Sequence, residues 1–325
     1  MSSTSFELLI AGSGMAGKAL AQALRWAAAD QGVELAPVRW VGRDEAISHT
    51  ADTSIVCIAG PHRLHAPRLL EIRELPGTVI CEKPAAVTLA DVDALAGYPR
   101  DVAICHGYRM LWGPQEIRRR VRSGDLGELV SIEGRYWQSS AAVGGRADSW
   151  KDDQQLNGAY DTLMDLATHW LDIACYICND YAPRIDVKLG YGNANRPHRD
   201  THVMLHPTWN ELPGFASVSK TAHGCGNDLE FHVIGTKASL SWFIVDSDVL
   251  WVAEGNRKCK MSREESSRSG MRPFHALGWM EGYVAIATSV LSGMRGLPAE
   301  RIPSLPESLA ISRLLIDAAE RARPG

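Results

Sequence analysis

The first third of the chain alternates short apolar runs with longer amphipathic segments. The apolar runs predict strands and the segments between them predict helices. The predicted strands are residues 6–11, 34–41, 54–59, 77–81 and 101–106, and the predicted helices are residues 15–29, 65–73 and 89–96. Strands and helices that alternate at this spacing form βαβ units. We therefore predict an α/β fold that begins with a doubly wound, parallel Rossmann sheet covered on both faces.

The pattern changes after a further helix predicted at residues 114–123. A strand is predicted at 128–138, a polar loop at 139–155, one long helix at 158–178, several strands between 184 and 253, a mobile loop at 256–272, and helices near 274–293 and 305–322. Strands that follow a βα block predict a second α/β domain with a mostly antiparallel, open sheet. We expect domains at residues 1–122 and 123–325, with a C-terminal helix that packs back on the first domain.

Composition and charge narrow the class of protein. The 325 residues are 45% hydrophobic and carry a net charge of −4, which is too small to predict nucleic acid or an anionic membrane as a partner. No apolar run approaches a membrane span of about 20 residues, and the first residues do not resemble a signal peptide. The seven scattered cysteines predict reduced thiols in the cytoplasm. Cys175-x-x-Cys178 lacks a second ligand pair, so we expect no metal site.

A glycine-rich segment, Gly12-Ser13-Gly14-Met15-Ala16-Gly17, follows the first predicted strand and opens the first predicted helix. Glycines at this spacing allow a tight turn and a close approach of the backbone to a pyrophosphate, whose charge meets the helix N-terminus. The segment therefore predicts dinucleotide binding.

The end of the second predicted strand bears on the choice of cofactor. An NAD-binding protein usually carries an acidic residue there for the ribose 2′-hydroxyl, whereas this chain has Gly42 followed by Arg43. An arginine suits a 2′-phosphate better, so NADP is favoured. NAD stays possible, because a register shifted by one residue would place Asp44 at the acidic position.

Three polar side chains are candidates for the chemistry. Lys83, in Glu82-Lys83-Pro84, follows a predicted strand, and the carboxyl edge of a parallel sheet is where such folds bind ligands. Asp165 and His169 are four residues apart on a predicted helix and project from one face. A histidine beside a carboxylate can exchange a proton near neutral pH, although a structural ion pair has the same spacing.

Aromatic residues come from segments that could border the same crevice. Tyr108-Arg109 follows the fifth predicted strand, and Trp112, Trp137 and Trp150 come from nearby segments. Aromatic rings suit the apolar faces of sugars, but tryptophans are also common in cores and interfaces.

Taken together, these motifs resemble the Gfo/Idh/MocA family of nicotinamide-dependent oxidoreductases, through most of the chain. Besides the glycine segment, Glu82-Lys83-Pro84 and Asp165-x-x-x-His169, the resemblance is carried by residues 58–65, 107–109, 124–128, 158–172, 235–240, 273–275 and 281–283. Asn157 and Ala167 stand where the family often has glycine.

The resemblance implies an NAD(P)-dependent oxidoreductase that transfers a hydride between nicotinamide and a carbinol or ketone carbon of a sugar, cyclitol or nucleotide-linked keto-sugar. His169 would be the general acid-base with Asp165 beside it, and Lys83 would hydrogen-bond the reacting oxygen. Two alternatives remain, an NAD-dependent glycoside hydrolase of the same family and a non-catalytic cofactor or sugar sensor. Retention of Lys83, Asp165 and His169 together argues against the sensor.

The resemblance also implies a full set of site residues and an assembly. The catalytic residues would be Lys83, Asp165 and His169. The cofactor would contact Gly12, Ser13, Gly14, Met15, Ala16, Gly17, Arg43, Ala59, Pro61, His62, His65, Glu82 and Lys83. The substrate, a small sugar-like molecule, would contact Lys83, Tyr108, Arg109, Trp150, Asp165 and His169. We expect a homodimer or homotetramer joined through the second sheet, whose apolar strands include residues 241–245 and 249–252.

Overall fold

The structure, a computed structural model, describes residues 5–48, 50–142, 150–192, 198–264 and 277–322. Within these residues the strands are β1 (Ser5–Ala11), β2 (Glu34–Leu35), β3 (Arg39–Val41), β4 (Ser54–Ile58), β5 (Thr78–Cys81), β6 (Val102–Ile104), β7 (Leu129–Trp137), β8 (Arg184–Gly190), β9 (His202–Trp209), β10 (Leu212–Ser219), β11 (Asp228–Gly235), β12 (Ser239–Phe243), β13 (Val249–Glu254) and β14 (Arg257–Ser262). The helices are α1 (Met15–Asp30), α2 (His65–Glu71), α3 (Leu89–Leu95), α4 (Trp112–Ser123), α5 (Gln154–Asn157), α6 (Thr168–Cys178), α7 (Trp279–Met294) and α8 (Leu305–Arg321).

Strands β1 to β6 form the first sheet, in the order β2-β1-β4-β5-β6 with β3 also paired to β1, and every pairing is parallel. Both faces are buried. Leu8 and Ile10 of β1 pack with Leu20 of α1, and Leu9 of β1 packs with Val56 and the helices on the other face. The predicted Rossmann sheet is confirmed.

One predicted strand of the first sheet, residues 34–41, is wrong as a single element. It is divided into β2 and β3, which both pair with β1. Pro37 lies in the break, and proline lacks the N–H that a continuous strand would donate to its neighbour.

The second sheet has eight strands in the order β14-β13-β12-β11-β7-β10-β9-β8. The β7–β10 pair is parallel and the other pairs are antiparallel. Helix α6 lies on its inner face, where Trp170 stacks on Phe231 with ring centroids 5.1 Å apart. The predicted open, mostly antiparallel sheet is confirmed.

Two boundaries in the last part of the chain differ from the predictions. Residues 257–262 of the predicted loop form β14, which extends the sheet by pairing with β13. The predicted helix near 274–293 is described from Trp279 onwards, as α7. Residues 265–276, with the segment 273–275 that contributed to the resemblance, lie outside the described residues.

The long helix predicted at 158–178 begins later than expected. Residues 159–161 are not helical, a π-helical turn spans Leu163–Ala167, and α6 continues from it. The first turn is capped from a distant segment, because the Asp200 carboxylate accepts hydrogen bonds from the backbone N–H of Asp161 (2.5 Å) and Leu163 (2.7 Å). A carboxylate in this position satisfies the unpaired N–H groups of a helix start.

Helix α7 packs on the first sheet, and helix α8 contacts both sheets. Val284 and Leu291 of α7 pack into the core of the first sheet, beside α1. Helix α8 places Leu309 against the first sheet and Leu315 against the second. The boundary between residues 122 and 123 stays a prediction. None of the helices among the described residues is long and apolar enough to cross a membrane.

Candidate active site

A cavity of about 450 Å³ opens at the carboxyl edge of the first sheet. The turns after β1, β3, β4 and β5 line it, and Trp150, Lys151, Asp165 and Tyr283 close its other side. A larger cavity of about 960 Å³ lies at the opposite edge of this sheet and contains none of the predicted site residues. Parallel sheets bind ligands at their carboxyl edge, so the smaller cavity is the candidate site.

The glycine segment forms the floor of one end of this cavity. Gly12 has φ +114° and lies so close to the next strand that a Cβ would stand 2.7 Å from the Ala59 carbonyl oxygen. A Cβ on Gly17 would stand 2.0 Å from the Gly12 carbonyl oxygen, so neither position accepts a side chain. Gly14, by contrast, begins α1 with open space around its Cβ position. This space in front of a helix N-terminus fits the pyrophosphate of a dinucleotide.

Two arginines lie at the far end of the cavity, where the sequence predicted one. Arg43 lines it as expected, and Arg68 of α2 also lines it. Arg68 donates hydrogen bonds to the carbonyl oxygens of Gly42 (2.9 Å) and Arg43 (2.6 Å) and pairs with Glu71. Asp44, the residue that kept NAD possible, is not among the described residues that line the cavity.

The two histidines of the β4–α2 turn lie at the middle of the cavity, but they differ in what they can offer. Burial and the charge of Lys83 hold the pKa of His62 well below its usual range, and its ring meets the Trp150 ring edge-on at 5.0 Å. His65 is fully buried, with Nδ1 2.8 Å from the Pro84 carbonyl oxygen and Nε2 2.9 Å from that of Gly60. Both ring nitrogens of His65 thus lie against backbone carbonyl oxygens of two loops of the cavity wall, and His65 also lines the cavity. Its contact with the cofactor stays a prediction.

Glu82 lines the cavity and ties its wall to α7. Its carboxylate accepts a hydrogen bond from the Tyr283 hydroxyl at 2.5 Å, and burial raises its pKa. The contact joins the turn after β5 to α7.

Lys83 and Asp165 meet at the wall of the cavity, as predicted from motifs 82 residues apart. The Lys83 Nζ lies 2.7 Å from Asp165 Oδ1 and also donates to the Asp165 carbonyl oxygen at 2.9 Å. Burial would raise the pKa of Asp165, but the ammonium groups of Lys151, Lys220 and Lys83 outweigh it and hold this pKa well below the usual range. Asp165 is therefore an anion at any pH near neutral.

Lys151 and Lys220 are functional candidates that the sequence analysis missed. The Nζ of Lys151 lies 2.7 Å and that of Lys220 lies 2.8 Å from Asp165 Oδ2. Lys220 also contacts Asp161 Oδ1 at 2.7 Å. Neither lysine belongs to a motif with a recognisable spacing. The one signal in the sequence for Lys151 was that it directly follows Trp150, a predicted substrate-binding residue.

His169 lies one helical turn beyond Asp165, in an aromatic surround. Its ring centroid is 4.6 Å from that of Tyr108 and 6.0 Å from those of Tyr136 and His106, and 9% of its surface is exposed. Burial, followed by the charges of Lys83 and His106, holds its pKa well below 6.5. The imidazole is neutral near pH 7 and able to accept a proton. Neither His169 nor Tyr108 is among the described residues that line the 450 Å³ cavity.

Substrate binding by Arg109 is contradicted by the structure. The guanidinium is 1% exposed and lies between Asp172 (3.1 Å) and Glu307 (2.5 Å). It therefore joins the turn after β6 to α6 and α8. The error came from treating Tyr108 and Arg109 alike, although neighbouring residues of a helical turn point in different directions.

The second part of the chain matches a known family model. Residues 115–241 match the model of the GFO/IDH/MocA C-terminal domain. The chain is 26% identical over 258 residues to levoglucosan dehydrogenase of Pseudarthrobacter phenanthrenivorans, an alignment that covers 70% of this chain and 64% of that protein. It is 26% identical over 138 residues to D-xylose 1-dehydrogenase [NADP(+)] of Haloarcula marismortui, covering 41% of this chain and 38% of that protein. The chain thus spans less than two thirds of the length of either relative.

Solved structures share the whole fold. Levoglucosan dehydrogenase in complex with NADH and L-sorbose superposes with a TM-score of 0.83, covering 98% of this chain and 97% of that one at 21% identity. At this identity the likeness establishes the fold alone.

Proposed function

We propose that the chain is an NAD(P)-dependent oxidoreductase of a sugar, cyclitol or nucleotide-linked keto-sugar, and a member of the GFO/IDH/MocA family whose C-terminal domain model its residues 115–241 match. The observation that carries the proposal is the 2.7 Å contact between Lys83 and Asp165, in the wall of the cavity that begins at the glycine segment. A bound nicotinamide would supply the hydride donor or acceptor.

Four residues of the chain have separate roles in binding the substrate and in transferring its proton. The Lys83 ammonium donates to the reacting oxygen and favours negative charge on it. Asp165, held ionised, keeps that ammonium at the cavity wall. The neutral His169 accepts the hydroxyl proton in the oxidative direction and returns it in the reductive direction. Trp150, which lines the cavity, offers a ring to the apolar face of a sugar.

The proposed function is tested by difference spectroscopy of the full chain with NAD(H) and NADP(H) against polyols, free sugars and nucleotide-linked keto-sugars. We expect a net change in the absorbance of the reduced nicotinamide with at least one of these classes. Substrate cleavage without a net change would indicate the glycoside hydrolase instead. Cofactor binding without turnover of any substrate would contradict both enzymes and favour the sensor.

The arginines at the far end of the cavity predict a preference for NADP(H). Changing Arg43 to Ala should weaken the binding of NADP(H) by about 1.5–3 kcal/mol, the contribution of a hydrogen bond to a charged group, and leave that of NAD(H) nearly unchanged. Fluorescence titration with both cofactors measures the effect. Arg39→Ala, which removes an exposed arginine paired with Glu45, is the matched control. Tighter binding of NAD(H) than of NADP(H) by the wild type would contradict the prediction.

The outer face of the second sheet predicts an oligomer. Trp242 and Leu250, from the strands expected to form the interface, are buried in the core, whereas Phe243 and Trp251 are partly exposed on the opposite face. A sheet face with exposed large aromatics is typical of an interface between subunits. We expect a dimer or tetramer by light scattering at micromolar concentration, and a shift toward monomer in Trp251→Glu. The control is Trp26→Glu on α1, and a monomeric wild type would refute the prediction.

A further inference from the structure

Lys220 is a buried ammonium held by two carboxylates. It follows β10 in the second sheet, its surface is 2% exposed, and its Nζ contacts Asp161 Oδ1 (2.7 Å) and Asp165 Oδ2 (2.8 Å). Because a buried charge without partners costs several kcal/mol, the two carboxylates are what make this position possible for a lysine. The carboxylates of Asp161 and Asp165 raise the pKa of Lys220 despite its burial, so it is a permanent cation.

The two carboxylates are presented to Lys220 by one stretch of backbone. Asp165 N–H donates to the Asp161 carbonyl oxygen at 2.9 Å, so the two side chains are one turn apart. The Asp200 carboxylate fixes the start of that turn. Like charges so close repel each other, and an ammonium between them offsets the repulsion. Lys220 therefore joins the two carboxylates of this turn through one ammonium group.

The contacts of Asp165 are divided between its two oxygens. Oδ2 accepts from Lys151 and Lys220, and Oδ1 accepts from Lys83. Lys220 is the more deeply buried partner of Oδ2, since 41% of the Lys151 side chain is exposed against 3% of the Lys220 side chain. The contact between Lys220 and Oδ2 restricts rotation of the Asp165 carboxylate about its Cβ–Cγ bond. In this orientation Oδ1 faces Lys83 at the cavity wall.

We propose that Lys220 is a positioning residue of the active site, which keeps Asp165 ionised and turned so that Oδ1 holds the Lys83 ammonium at the cavity wall. The inference rests on the proposed function, in which Lys83 acts on the reacting oxygen. Lys220 itself is not among the described residues that line the cavity. Its effect reaches the substrate through Asp165 and Lys83.

Two substitutions separate positioning from a structural role, because both remove the Lys220–Asp161 ion pair but only Lys220→Met removes the cation from Asp165. Lys220→Met should lower kcat by about 10- to 100-fold with little change in KM, the loss expected for one charged hydrogen bond. Asp161→Asn should lower kcat far less, since Lys220 then serves Asp165 alone. Lys220→Arg, which keeps the positive charge, should retain most of the wild-type kcat.

A buried cation elsewhere provides the control for general destabilisation. Arg263 also lies between two carboxylates, Asp248 at 3.1 Å and Glu281 at 2.6 Å, away from the candidate active site. Arg263→Met should lower the free energy of unfolding without the selective loss of kcat. Equal losses of kcat in Lys220→Met and Asp161→Asn, or full kcat in a folded Lys220→Met, would overturn the proposal.

A second readout needs no substrate and therefore separates this proposal from the proposed function. The ¹⁵N ammonium resonance of Lys83, assigned through Lys83→Met, should be detectable in the wild type because the ion pair slows proton exchange. It should persist in Asp161→Asn and disappear in Lys220→Met. If Lys220→Met does not fold, loss of the resonance in Asp161→Asn still contradicts the proposal. Absence of turnover with every sugar class, with these resonances as expected, would contradict the proposed function alone.

Discussion

Replacing His169 by alanine should lower kcat by about 10²- to 10⁴-fold, the usual contribution of general acid-base catalysis. The affinity for cofactor should change little, because the His169 ring packs against Tyr108 and is not among the described residues that line the 450 Å³ cavity. Steady-state kinetics with a substrate identified by difference spectroscopy, together with fluorescence titration of the cofactor, measure both quantities.

The role of His169 as the base also predicts how the rate of oxidation depends on pH. The neutral imidazole is the base, and burial, Lys83 and His106 hold its pKa well below 6.5. A lowered pKa keeps the neutral form present as the pH falls, so oxidation should stay fast below pH 6.5 and decline only as the pH passes through the lowered pKa. A decline centred on 6.5 or above would show that another group exchanges the proton.

The control for His169 is an exposed histidine. His223 lies in the turn between β10 and β11, and His223→Ala should retain full activity. Full activity in His169→Ala, with cofactor bound normally, would end the assignment of the general acid-base to this residue.

Replacing Lys83 by methionine should lower kcat by about 10²- to 10³-fold, the cost of removing one donor that stabilises negative charge in the transition state. Methionine keeps the length of the side chain and removes the charge that contacts Asp165 at 2.7 Å. The Lys83 charge lowers the pKa of His169 in the wild type, so its removal should raise that pKa. The fall of the residual activity on the acid side should then move to higher pH. This shift distinguishes the loss of Lys83 from a general loss of folding.

The matched control for Lys83 is Lys188 on β8, whose side chain is exposed. Lys188→Met should keep both kcat and the pH profile of the wild type. A Lys83→Met variant with unchanged turnover, or with its acid limb moved to lower pH, would contradict the role assigned to Lys83.

The parts of the site that could be predicted are those encoded by local pattern. The glycine spacing follows from the backbone approach at Gly12 and Gly17, where a Cβ would stand 2.7 Å and 2.0 Å from a carbonyl oxygen. The position of Lys83 follows from strand order, because the carboxyl ends of parallel strands share one edge. Both signals lie within a few residues of the element that creates them.

The rest of the site depends on partners that are distant in sequence. Lys220 contacts Asp165, which is 55 residues away in the sequence. A buried lysine cannot be recognised from its sequence neighbours, because its burial depends on carboxylates that only the folded chain brings close to it. The helix start was misplaced for the same reason, since its cap, Asp200, lies 39 residues after Asp161.

The contact between Lys83 and Asp165 also joins two layers of the molecule. Lys83 follows β5 of the first sheet, and Asp165 precedes the helix that packs on the second sheet. The contact that we propose to serve the reaction thus also holds the two sheets together. In many enzymes a catalytic side chain is held under strain, and its removal stabilises the fold at the expense of activity. Here the ammonium of Lys83 and the carboxylate of Asp165 stabilise each other. A substitution that weakens this ion pair should therefore lower both the turnover and the stability of the contact between the two sheets.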